Sequence, residues 1–222
     1  MEQKTTEIQT GISDILGSGI DLGNKVCVVA PGPNGLDLYK EIPSDYSIIV
    51  VNKAILIEEI NPDLWVVAHS DNSWFEEANR QYQGLRAYRD VILPTINKTT
   101  LELYTDKSHS FKLEETQLQV DKILPIDGFI RRGGTISGIA IQLAYNLGVR
   151  DILLCGVDMS GNNYWDNSEN EDKNVRHMHG AIWDGAIKLD PLLNHMLNEL
   201  NVKITTLSKT TLNVPYFKTK KI

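Results

Sequence analysis

Short runs of apolar, largely β-branched residues recur along the chain, each closed by glycine, proline or a polar cluster. Lys25-Val-Cys-Val-Val-Ala30, Ser47-Ile-Ile-Val-Val51, Leu64-Trp-Val-Val-Ala68 and Asp151-Ile-Leu-Leu-Cys155 are too short for helices. They are also apolar at successive positions, as strands of a parallel sheet buried on both faces must be. Asp90–Leu93, Leu118–Ile126 and Val202–Leu207 read as further strands. Between them, Leu36–Ile42, Ala54–Ile60, Ser73–Gln83 and 184–200 have helical character, with Pro43 and Pro62 as stops. Ile139, Leu143 and Leu147 fall at helical spacing after Thr135 and Ser137, two N-cap residue types, and Gly148 closes that helix. Strands alternating with helices predict a single Rossmann-like α/β domain with a mostly parallel sheet and helices on both faces.

The domain is expected over residues 25–208, after a lead-in at 1–24 and before a tail at 209–222. The stretch from about 95 to 117 is rich in Thr, Lys and Ser with little periodicity, and reads as an irregular insertion. The tail, with Lys218, Lys220 and Lys221 behind Tyr216 and Phe217, is read as a frayed, solvated end; contact with a membrane surface or an acidic partner is the alternative.

Composition narrows the function classes. A net charge of −7 over 222 residues and a pI near 5.2 argue against a nucleic-acid footprint. No apolar run is long enough to cross a bilayer. Cys27 and Cys155 sit inside apolar strands without metal-type spacing, which predicts buried thiols and a reducing compartment, the cytoplasm.

The chemistry-bearing residues collect at strand ends. Pro31-Gly32-Pro33-Asn34-Gly35 follows the first strand, where nucleotide folds hold phosphate or ribose. It is not the dinucleotide fingerprint, because its prolines remove backbone donors, and a bare turn fits the same residues. Asn52 stands past the second strand and His69-Ser70-Asp71-Asn72 past the third. Gly156-Val157-Asp158 brings a carboxylate to the end of the strand at 151–155, and Ser137-Gly138 opens the preceding helix. A long polar stretch then carries Tyr164 and Asp166, followed by His177 and His179. Either histidine could act as a general base near neutral pH. Spacing gives little support for zinc, and the alternative to a base is that both are solvated loop residues. His195, on the last helix, reads as structural. A Ser137–His177–Asp158 hydrolase set lacks the nucleophile elbow.

The order of these motifs resembles the bacterial sialyltransferase family of lipooligosaccharide enzymes. It is similar as well to motility-associated glycosyltransferase-like proteins and to archaeal-type 6-hydroxymethylpterin diphosphokinases. The resemblance runs from about Lys25 to Ser208 and is densest over Ser137–Asp158. It implies a CMP-sugar donor at the carboxyl edge of the sheet, whose sialic-acid-like sugar is transferred without a metal or other cofactor to a glycan or other hydroxyl acceptor. Position by position, it implies nucleotide binding by Gly32, Pro33, Asn34, Asn52, Ser137, Gly138 and Asp158. Tyr164 is implied as leaving-group assistant and His179 or His177 as base. The family pattern is not met at Pro31, at Asn34, or at Met159-Ser160, where a tyrosine is expected. These differences bear on the sugar more than on the fold. Two other readings follow from the same resemblance. One is a Mg2+-dependent pyrophosphokinase acting on a pterin-like alcohol, with Asp71, Asp158 and Asp166 as metal ligands; the other is a nucleotide-binding accessory protein without catalysis. A homo-oligomer is compatible with all three.

Overall fold

The computed structural model describes residues 19–35, 37–67, 74–89, 108–114, 129–131, 135–159 and 185–218. Among them eight strands form one sheet: β1 (Lys25–Val29), β2 (Ser47–Val51), β3 (Leu64–Val67), β4 (Arg86–Arg89), β5 (Ser108–Glu114), β6 (Phe129–Arg131), β7 (Asp151–Cys155) and β8 (Lys203–Thr206). The spatial order is β6-β5-β4-β3-β2-β1-β7-β8, and every adjacent pair is parallel. The chain therefore builds outward from β1 to β6 and then crosses back to place β7 on the other side of β1. That reversal makes β1/β7 the topological switch point, the sheet position at which open α/β folds generally hold their ligands.

The unbroken apolar strands are explained by two cores. Val26, Val28, Ile49, Val51, Val66, Ile152 and Leu154 face one side, covered by α2 (Ile136–Asn146) and α3 (Gly185–Asn198). Cys27, Val29, Val50, Trp65, Val67, Leu153 and Cys155 face the other, against α1 (Phe75–Gln81) and the short 3-10 turns Leu38–Glu41 and Asn52–Leu56. Alternate residues of one strand thus serve different cores, so neither face can be polar. Both thiols are fully buried, as expected. Burial pushes the Cys27 thiol well above its ordinary pKa and that of Cys155 up to about 12, the nearby Asp158 carboxylate adding to the latter. Both stay protonated and inert.

Several expectations are corrected. The helices expected at Leu36–Ile42 and Ala54–Ile60 are single 3-10 turns. Asp37 takes a left-handed φ of 69° before the first, and Ile57 is already extended after the second, so neither can propagate. Part of the supposedly irregular 95–117 stretch is strand β5, whose polar sequence SHSFKLE is held by main-chain pairing to β4. A strand lies at Arg86–Arg89, where none was expected; positions 90–93 and 118–126 lie outside the described residues. The tail is not frayed through Phe217. Thr206 N–H donates to Pro215 O (3.0 Å) and Phe217 N–H to Thr206 O (2.8 Å), and the Phe217 ring packs edge-on to Tyr46.

Arg86 is the least expected core residue, fully buried at the start of β4. Its guanidinium donates to Asn79 Oδ1 (3.0 Å) and to the Tyr82 carbonyl, and lies over the rings of Tyr82 and Trp65. Tyr88 hydroxyl donates to the same Asn79 oxygen at 2.6 Å. This polar knot fastens α1 to the sheet.

Candidate functional site

The site is built at the carboxyl ends of β1, β7 and β8. After Val29 the chain does not leave the sheet at once. Ala30 N–H donates to Cys155 O (2.8 Å) and Gly32 N–H to Gly156 O (3.0 Å), extending the β1/β7 pairing beyond both strands. Such close contact requires glycine on both sides. A Cβ on Gly32 would fall 2.3 Å from the Gly156 carbonyl and 2.5 Å from Asp158 Oδ2, and one on Gly35 would fall 2.5 Å from Gly156 Cα. Gly156 itself has φ 69°, and a Cβ there would lie 2.3 Å from Ala30 O.

Asp158 closes this corner. Its Oδ2 accepts the backbone N–H of Asn34 at 2.7 Å, pinning the turn Pro33–Gly35 to the end of the β7 loop. The residue is 3 % exposed, and among the described residues its Oδ1 is buried without a hydrogen-bond partner. Burial holds the carboxyl above its usual range, opposed chiefly by the Asn34 N–H. The Ser208 hydroxyl and the Asn34 side chain also lower it, since a desolvated carboxylate is costly unless donors reach it.

The loop after β8 is the third wall, and sequence reading passed over it. Ser208, fully buried, accepts Gly156 N–H at 2.9 Å. Thr210 hydroxyl donates to Val157 O (2.7 Å), and Thr211 N–H to Asp158 O (3.1 Å). Asn34 reaches across β7 to donate its side-chain amide to Lys209 O at 3.2 Å. The polar triplet Ser208-Lys209-Thr210 was visible in the sequence, but nothing local links it to Asn34, 175 positions away.

Gly32, Pro33, Asn34 and Asp158 are thus brought into one corner as a mutually bonded unit. Two of Asn34's donors serve this framework instead of standing free. Asn52 begins the turn after β2 with φ 46°, and its carbonyl accepts the indole N–H of Trp65 at 2.9 Å. Ser137 and Gly138 lie in the first turn of α2, and the Thr135 hydroxyl caps Gly138 N–H at 3.0 Å. Because α2 starts after β6 and leads to the beginning of β7, its N-terminus is on the same sheet edge as the switch point. His195 lies in α3, away from the strand ends. Tyr164, Asp166, His177, His179 and Asp71 lie outside the described residues.

An all-parallel α/β sheet whose strand order reverses at β1/β7 defines a Rossmann-like fold. Within that class the chain shares the fold of the bacterial sialyltransferases. Cst-I, a monofunctional α-2,3-sialyltransferase from Campylobacter jejuni, superposes with a TM-score of 0.52 at 13% identity, over 86% of this chain and 80% of that one. The sialyltransferase CstII, solved with CMP and a trisaccharide acceptor, superposes with a TM-score of 0.50 at 15% identity over 89% of each chain. No family model matches the sequence, and no curated protein does. No helix among the described residues is long and apolar enough to cross a membrane.

Proposed function

We propose that the chain binds a CMP-sugar-like donor at the β1/β7 crevice and transfers its glycosyl group, without a metal, to a hydroxyl acceptor. The observation that carries this reading is Asp158: a buried carboxylate with one oxygen tied to Asn34 and the other without a partner among the described residues, at the switch point of a sheet with the sialyltransferase fold. Ribose hydroxyls are the donors that such an oxygen suits.

In the proposed reaction the bond between the anomeric carbon and the phosphate oxygen breaks, and CMP leaves with the electron pair. The acceptor oxygen bonds to the anomeric carbon and its proton passes to His179 or His177. Tyr164 hydrogen-bonds the departing phosphate. The helix start at Ser137–Gly138 receives negative charge from the phosphate. Asn52 contributes to the nucleotide pocket from the neighbouring strand end.

The test is turnover of CMP-sialic acid against a panel of glycan acceptors, with and without EDTA, in wild type and in the double variant H177A/H179A. The reading expects turnover insensitive to EDTA, and a loss of about 100-fold or more in the double variant with CMP binding retained. Wild-type rates in the double variant would remove the base assignment. Turnover requiring ATP and Mg2+ would move the protein to pyrophosphoryl transfer, and CMP binding without any turnover would favour an accessory role.

A further inference from the structure

The loop after β8 carries a cation in a position that is unusually well prepared. Lys209 is flanked by two anchored residues: Ser208, buried and bonded to Gly156 N–H, and Thr210, whose hydroxyl donates to the Val157 and Asp158 carbonyls. Its own carbonyl is held from the opposite side of the crevice by the Asn34 amide. The backbone at Lys209 is therefore fixed to both the β1 and the β7 loops, whereas its side chain is exposed. At the opposite, amino edge of the sheet the lysines that open β1 and β8 are paired, Lys25 with Asp45 and Lys203 with Asp151. Lys209 has no ion-pair partner among the described residues. Unlike an ordinary surface lysine, it sits on a backbone whose ordering cost is met by the fold before any ligand arrives.

We propose that Lys209 is a ligand-binding residue that contacts the phosphate of a bound nucleotide from the β8 side of the crevice. The inference rests on the nucleotide-binding reading above. It assigns a role to a loop that the strand-end motifs do not include. An ammonium on a flexible four-carbon stem acts on phosphate as a point charge and needs no fixed bidentate geometry. Among the described residues of this edge, backbone N–H groups such as those of Gly32 and Asn34 are already spent on loop-to-loop bonds.

The experiment is isothermal titration of wild type, K209M and K209R with CMP and, in parallel, with cytidine. K209M is expected to weaken CMP by about tenfold, the effect of losing one hydrogen bond to a charged group. It should leave cytidine unchanged, and K209R should retain most of the CMP affinity. The CMP affinity of wild type should also fall more steeply with added salt than that of K209M. CMP binding by K209M at wild-type strength, or an equal loss of CMP and cytidine, would overturn the assignment while leaving the nucleotide reading standing. Failure of wild type to bind either compound would instead overturn the nucleotide reading itself, and the Lys209 role with it.

Discussion

The strand β7 has an aspartate at each end, and the two are treated in opposite ways. Asp151, at its start, is neutralised: Oδ1 accepts the Tyr46 hydroxyl at 2.9 Å and Oδ2 the Lys203 ammonium at 2.8 Å, and its side chain is 15% exposed. Asp158, just past its end, is more deeply buried, and among the described residues it has no cation on it and one oxygen without a donor. At the amino edge of the sheet the polar groups are paired among themselves, together with Lys25–Asp45, and the tail ring of Phe217 lies over the cluster. The carboxyl edge is packed as tightly through Gly32, Gly35 and Gly156, yet among the described residues a carboxylate oxygen and the Lys209 ammonium have no partner there. Among the described residues, then, the charges of the amino edge are paired within the fold and those of the carboxyl edge are not.

The largest break in this comparison should come from the glycines. Gly156→Ala combines a left-handed backbone with a Cβ set against the Ala30 carbonyl, and is expected to cost about 3 kcal/mol or more, read from the urea midpoint. An equally packed glycine-free corner would tolerate it; this one cannot, because backbone is the obstacle.

A smaller effect is expected at the paired end. Asp151→Ala strands the half-buried Tyr46 hydroxyl and releases Lys203, which is more than half exposed, so the cost should be about 1 kcal/mol. Part of that cost should disappear in 1 M salt, since the Lys203 contact is screened there. The Tyr46 phenol is itself held above its ordinary pKa, first by burial and then by its bond to Asp151.

Asp158→Asn should behave in the opposite sense. The native-state pKa of Asp158 is raised, so its contribution to stability is fully present below the unfolded-state value and is lost as pH rises through the folded one. The ionised group therefore burdens the fold at neutral pH. An amide of the same shape can still accept the Asn34 N–H and carries no such burden. Asp158→Asn should thus match or exceed wild type at pH 7, by about 1 kcal/mol at most, with the advantage shrinking as pH falls towards the unfolded-state value. Denaturant midpoints at several pH values would check it; a variant clearly weaker than wild type at pH 7 would mean that the carboxylate is structural, like Asp151.

Much of the sheet was legible because its physics is local. Ser47–Val51 and Asp151–Cys155 coincide with β2 and β7, since strands buried on both faces must be continuously apolar. The helix after Thr135 was legible through its cap, and its end through Gly148, which has φ 95°. β5 was not legible, because SHSFKLE owes its conformation to a neighbouring strand and carries no periodic signal of its own. Arg86 opens β4 only because Asn79, Tyr82 and Tyr88 gather around it. At the site, residue types were readable and partnerships were not. Asn34 and Asp158 were each expected to face a ligand, but the bond between them spans 124 positions and depends on the switch point having formed.

The most direct test of nucleotide binding at the carboxyl edge is the amide NMR spectrum of the labelled protein titrated with CMP. The account predicts shifts at Gly32, Asn34, Gly138, Gly156, Ser208 and Lys209, with Lys25, Asp45, Asp151 and Lys203 unmoved. Shifts centred on the paired amino edge, or none anywhere at saturating nucleotide, would contradict it.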